Sequence, residues 1–210
     1  MKPGKWDRSR LLADTIVPWY TYEAVLWLYQ NARPEWNVLE WGAGASTIWF
    51  ARHCAAVSSI ESDEKWSIKI EEDFGIGDGE AAAKSEILFV PGQPKGSRPY
   101  YSNVTKLYHV EAAETPIEAW APQRYDIVSV DGRARNGCMY HAIADDLVKP
   151  GGYLLLDNSE RKKYDLGRSF VPKDWHEMKF YGPGRGCPTL PGVTEGRLRT
   201  WQTTIWRRPV

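Results

Sequence analysis

The sequence predicts an α/β fold on a doubly wound, mostly parallel sheet, and three observations carry that expectation. Short apolar runs alternate with helical patterns at the pitch of βαβ units. One run, NVLEWG at residues 37–42, passes through two glycines one residue apart into the helical pattern ASTIWFARH, so a strand turns sharply into a helix. A second acid, Glu61, ends the next apolar run, about 20 residues on.

The elements follow in order. Residues 1–10 are polar and read as loose chain. From Tyr20 to Asn31, YTYEAVLWLYQN has helical spacing, with Pro18 near its start and Pro34 beyond its end. NVLEWG is then a strand, ASTIWFARH a helix, AAVSSIES a strand and DEKWSIKIEEDF a helix. Residues 75–100 hold five Gly, three Pro and one apolar segment, EILFV, which reads as a strand inside loops or as an insertion. Residues 100–121 fit either one long helix or a strand around KLYHV followed by a short helix. Beyond them YDIVSVDG is a strand, MYHAIADDLV a helix, and GGYLLLDN a strand entered through a Pro150-Gly151-Gly152 turn. EMKFYG and TWQTTIWRR are two late strands, and the Gly- and Pro-rich loop between them suits a lid over a bound molecule. There is no internal repeat, so a single domain over residues 1–210 is expected.

Composition narrows the function. Lys plus Arg and Asp plus Glu number 27 each, and this neutrality argues against a protein that lives on phosphate backbones. Cys54, Cys138 and Cys187 are odd in number and widely spaced, so reduced thiols are expected rather than a disulfide framework or a thiolate zinc site. The 11 Trp and 11 Tyr read first as core packing, with a stacking surface for sugar rings or bases as the alternative. MKPGKWDRSR has no apolar signal core, and no 18-residue apolar run occurs, so a cytoplasmic protein without membrane contact is expected.

The acid-x-Gly-x-Gly bend has a chemical meaning. Glycines let a ligand approach the backbone with no Cβ in the way, and the helix that follows offers unpaired N–H groups at its N-terminus. A dinucleotide fingerprint would carry a third glycine where this chain has Thr47. Glu61 suits a ribose diol, because one carboxylate accepts two hydroxyl hydrogen bonds; otherwise it is a surface acid at a strand end.

Taken in order, LEWGAGAST, SSIESDEKW, YDIVSVDG and KPGGYLLLDN resemble class I S-adenosylmethionine-dependent methyltransferases, over roughly residues 16–160. The resemblance implies a Rossmann-like, seven-stranded sheet ending in an antiparallel hairpin. It divides the chain into a helical N-terminal segment (1–35), a cofactor-binding core (36–160) and a C-terminal hairpin and loop (161–210). It implies that Glu40, Gly42 and Gly44 line the methionine half of the cofactor, that the Ser46 and Thr47 hydroxyls reach the carboxylate there, that Glu61 holds the ribose and that Ser62 lies beside the adenine. Glu111 is a candidate for the adenine-facing residue after the third strand.

Methyl transfer from a sulfonium is an in-line displacement, and a hydroxyl acceptor must also lose its proton. Acceptor residues belong at the C-terminal strand ends, where Asp131 and the pair Asp157-Asn158 fall. Together these three resemble the magnesium site of cation-dependent O-methyltransferases, so Mg²⁺ is a candidate cofactor. Alternatively, Asp131 and Asp157 cap helices or contact cofactor only. The catechol-type enzymes carry a lysine base three residues after the first Asp; here that position is Ala134, flanked by Arg133 and Arg135. Those two with Arg161 could clamp an acidic acceptor such as a uronic acid or a nucleotide-linked sugar, or could simply be solvated. His141 is a candidate base, and Tyr100, Tyr101 and Tyr164 candidate pocket walls.

The resulting expectation is an O-methyltransferase for a small polar acceptor, with Asp131, Arg133 and His141 as catalytic candidates and a homodimer allowed. Three rivals stand beside it: RNA ribose methylation, a non-catalytic cofactor-binding subunit, and aminopropyl transfer. Base-amine methylation is disfavoured, because those enzymes place an acid-or-Asn-Pro-Pro-aromatic motif where this chain reads VDGR.

Overall fold

A computed structural model describes residues 17–73, 79–90, 124–182 and 201–210. The segment 100–121 with its undecided elements, Tyr100, Tyr101, Glu111, Cys187 and most of the Gly/Pro-rich loop lie outside the described residues.

Seven strands form one sheet: β1 (Asn37–Trp41), β2 (Ala56–Glu61), β3 (Ser85–Phe89), β4 (Tyr125–Val130), β5 (Val148–Leu156), β6 (His176–Gly182) and β7 (Trp201–Arg207). Their order is β3-β2-β1-β4-β5-β7-β6. β1 to β5 pair in parallel, while β7 runs antiparallel to both β5 and β6. The winding reverses between β1 and β4, which opens a crevice at their C-terminal ends.

Strand alternation sends side chains to two cores. On one face Val38, Val57, Ile127 and Leu155 pack with α1 (Tyr22–Asn31) and α2 (Ala45–His53). On the other, Leu39, Trp41, Val128, Val130 and Leu156 pack with Cys138 and Met139 of α4 (Arg135–Ala144). Ile70 of α3 (Glu64–Asp73) meets Ile48 of α2. A short α5 (Asp165–Ser169) follows β5, and it was not legible in the sequence.

Three boundaries differ from expectation. The first helix starts at Tyr22 rather than Tyr20: Tyr20 is wholly buried with its hydroxyl 2.7 Å from Ser129 Oγ, and the Thr21 N–H donates to Thr203 Oγ1 at 3.0 Å. The fourth helix is Arg135–Ala144 rather than Met139–Val148. Asp146 adopts a left-handed φ of 56°, and the N–H groups of Asp146 and Leu147 return to the carbonyls of Ile143 and Ala142 in a Schellman end. Finally, the Pro150-Gly151-Gly152 turn lies within β5, whose register against β4 shifts between Tyr125↔Val148 and Ile127↔Tyr153. The extra residues are absorbed as a bulge, which Gly151 permits with φ 79°. No helix among the described residues is long and apolar enough to cross a membrane.

Candidate functional site

The bend after β1 is held by a backbone crossing. Gly42 has φ 102°, and a Cβ there would lie 2.4 Å from Gly132 N and 2.5 Å from Gly132 Cα. Both Asp131 N (3.0 Å) and Gly132 N (2.6 Å) donate to Trp41 O, so the loops after β1 and β4 share one acceptor. Gly44 differs in kind. Its φ of 177° is ordinary extended backbone, and a Cβ there would meet nothing within 4 Å, because it faces the open crevice.

Beneath the bend lies Glu40, with no exposure to solvent. It accepts hydrogen bonds from Ser46 Oγ (2.8 Å), Thr47 Oγ1 and Ser59 Oγ (2.6 Å). Thr47 Oγ1 in turn accepts from Gly44 N at 2.9 Å. Burial pushes the Glu40 carboxyl up to about 7 against the pull of these hydroxyls, and the nearby Asp131 charge adds to the rise. Glu40 and Thr47 therefore anchor the bend from below instead of lining the methionine half. The Ser46 hydroxyl, expected at the ligand's carboxylate, is likewise turned onto Glu40.

Glu61 does reach the crevice. Its Oε2 accepts from Ala43 N at 3.1 Å, and its Oε1 from Ser62 N (2.6 Å) and Asp63 N (2.9 Å). Burial raises its pKa, opposed by these N–H donors. Trp66 Nε1 donates to Ala43 O at 2.8 Å, tying α3 to the same bend. Ser62, expected at the adenine, donates its N–H to Glu61 and does not line the cavity; Asp63 and Trp66 line it instead.

At the tips of β4 and β5, Arg135 is buried between two carboxylates. Its Nη2 is 2.8 Å from Asp131 Oδ1 and its Nη1 3.8 Å from Asp157 Oδ2. It also donates to the carbonyls of Gly132 (2.9 Å), Asp131 (2.6 Å) and Asp157, and its guanidinium carbon lies 5.2 Å from the centre of the Tyr164 ring. Asp157 Oδ1 accepts from Thr203 Oγ1 at 2.8 Å. Burial and the Asp131 charge drive the Asp157 pKa well above the usual carboxylate range; burial also raises Asp131, against the Arg135 charge. Asp131 keeps 23% of its side-chain surface exposed and faces the cavity.

This arrangement gives no support to the magnesium expectation for Asp131, Asp157 and Asn158. A guanidinium already balances the two carboxylates, and among the described residues no group of three His, Cys, Asp or Glu is placed to hold a metal ion. Two further expectations fail geometrically. His141 is buried on α4, with its Nδ1 2.8 Å from Asp145 Oδ2, and it does not line the cavity. Tyr164 packs in the core against Arg135 rather than forming a pocket wall. Arg161 pairs with Glu160 at 3.7 Å, outside the cavity lining.

The crevice encloses about 460 Å³ and has two ends. One is walled by the Gly42–Ser46 bend, Glu61, Asp63 and Trp66, the other by Asp131, Arg133, Asp157, Asn158, Trp19 and Trp201. Trp19 and Trp201, far apart in sequence, escaped the sequence reading. The only signal was the general excess of tryptophan.

No protein-family model matches the chain, and no curated protein matches its sequence. Solved structures do match. An O-methyltransferase from Bacillus cereus, crystallised with S-adenosylhomocysteine, is 17% identical, with 87% of this chain aligned on 78% of that one at a TM-score of 0.56. An O-methyltransferase from Streptomyces achromogenes in complex with S-adenosylmethionine is 16% identical over 87% and 77% of the two chains, TM-score 0.51. An rRNA methylase from Streptococcus thermophilus is 10% identical over 89% and 95%, TM-score 0.57. At these identities the likeness is one of fold: a Rossmann-like methyltransferase sheet with antiparallel C-terminal strands.

Proposed function

We propose, with that fold as premise, that the chain is an S-adenosylmethionine-dependent methyltransferase acting on a hydroxyl of a small polar acceptor, such as a sugar or a nucleotide-linked metabolite. One observation carries the reading: the Gly44 backbone, open to the crevice, faces the same cavity as the Glu61 carboxylate. The residues fit an aminoacyl nucleoside. Among the described residues Glu61 Oε2 accepts only from Ala43 N and keeps room for a ribose hydroxyl, and the first N–H groups of α2 suit a carboxylate.

When bound, the cofactor supplies an activated methyl group for in-line displacement. The chain's own residues do the rest. Asp131 stands at the acceptor end as the base that takes the hydroxyl proton, and its raised pKa brings it closer to working pH. Arg135 fixes that carboxylate in place from the buried side. The test is calorimetric titration with S-adenosylhomocysteine and with NAD, followed by mass spectrometry of hydroxyl and amine acceptors. Binding of the homocysteine compound and methylation at oxygen are expected. Binding of NAD alone, or methylation at nitrogen only, overturns the reading.

A further inference from the structure

We infer that Arg133 and Asn158 read an anionic group on the acceptor, whose flat ring lies against Trp19 and Trp201; this deepens, and rests on, the methyltransferase reading. The cavity lining contains two cations, and they are used differently. Arg135 is consumed by Asp131, Asp157 and three carbonyls. Arg133 is exposed, lines the cavity and forms no ion pair with any described residue. Its root is nonetheless rigid: Gly132 before it is bonded to Trp41 O, Ala134 after it has a left-handed φ of 53°, and its own carbonyl accepts from Cys138 Sγ at 3.6 Å. A fixed backbone carrying a free guanidinium over a cavity is a built anion reader, since the fork pairs with carboxylate or phosphate at little ordering cost.

Asn158 points the same way. It is only 7% exposed, adopts φ 49° and lines the cavity. Its amide is placed to donate to a ligand oxygen that enters the cavity. The aromatic wall is set by a tie between chain-distant segments. Thr21 N donates to Thr203 Oγ1 at 3.0 Å, and Thr203 Oγ1 to Asp157 Oδ1 at 2.8 Å, which brings Trp19 and Trp201 to the same end of the cavity. Indole faces bind aromatic rings and the apolar faces of sugars.

The experiment saturates the protein with S-adenosylhomocysteine and titrates matched pairs: 4-hydroxybenzoate against 4-hydroxybenzamide, glucuronate against glucuronamide, and glucose 6-phosphate against glucose. In at least one pair the anion should bind about tenfold tighter or more, and the carboxylate and phosphate pairs separate the two anion classes. Arg133→Gln should bring that preference to within about twofold while the homocysteine compound binds as in wild type. Asn158→Ala should weaken anion binding in the same pair. Equal binding within every pair, no anion bound at millimolar concentration, or an Arg133→Gln variant that loosens the cofactor product instead overturns the inference. Wild type that fails to bind S-adenosylhomocysteine removes the methyltransferase reading as well; product binding without anion preference removes this inference alone.

Discussion

Replacing Gly42 by alanine tests the backbone crossing directly. The added methyl must sit at φ 102°, where an L residue costs about 1–2 kcal/mol. It would also lie 2.4 Å from Gly132 N and 2.5 Å from Gly132 Cα, and both obstacles are backbone, so the loops after β1 and β4 must part. Overpacking of this kind adds about 1–3 kcal/mol. The sum, about 2–5 kcal/mol, corresponds to a melting temperature lower by roughly 5–20 °C for a chain of this size. Gly44→Ala is the control. Its φ of 177° suits alanine and its methyl meets nothing within 4 Å, so its melting temperature should stay within about 2 °C of wild type. That methyl projects into the crevice, so affinity for S-adenosylhomocysteine should fall about tenfold. Scanning calorimetry and titration read both variants. A Gly42→Ala protein that melts with wild type, or a Gly44→Ala protein that melts as low as Gly42→Ala, refutes the reasoning.

The remaining predictions concern the charges. Glu40 titrates at about 7 in the fold against an ordinary carboxyl value of 4.5, so the folded state holds its proton longer than the unfolded state does. Its contribution to stability is therefore full below about 4.5 and lost as pH rises through 7, by roughly 3 kcal/mol; urea unfolding from pH 5 to 8 should show this fall, and Glu40→Gln should flatten it. An unchanged slope in the variant would exclude Glu40 as its source. Arg135→Met leaves Asp131 and Asp157 facing each other without a cation, and should cost about 3–5 kcal/mol in the same unfolding assay. Asp131→Asn should abolish turnover with product affinity kept, whereas Glu61→Gln should weaken that affinity about tenfold; calorimetry showing the reverse pattern would exchange their roles. Turnover should survive a chelator, because Arg135 supplies the positive charge between the carboxylates; loss with chelator and recovery with magnesium would refute that.

Local features of the site were legible from sequence, and those made by distant contacts were not. The bend at Gly42 and Gly44 and the acid at Glu61 follow from neighbours in the chain, and the structure has all three lining one cavity. Gly132 carries no signal of its own in the sequence, because its reason is Gly42, ninety positions earlier. Arg133 and Arg135 read alike in the sequence, as a pair that clamps an acidic acceptor or is solvated, yet the turn at Ala134 buries Arg135 and leaves Arg133 exposed. The Asp145-Asp146 pair ended a helix whose apolar pattern ran on, through a left-handed conformation that single-residue propensity does not display. Pro150 and Gly151 signalled a turn, and sheet pairing on both sides drew them into a bulge instead.

The tie from Thr21 through Thr203 to Asp157 also sets an order of completion. The Glu61 end of the crevice is furnished by residues 42–66, which leave the ribosome early, whereas the Trp19–Trp201 wall cannot close until β7 has been made. A nascent chain would thus be equipped at its Glu61 end before its second compartment exists.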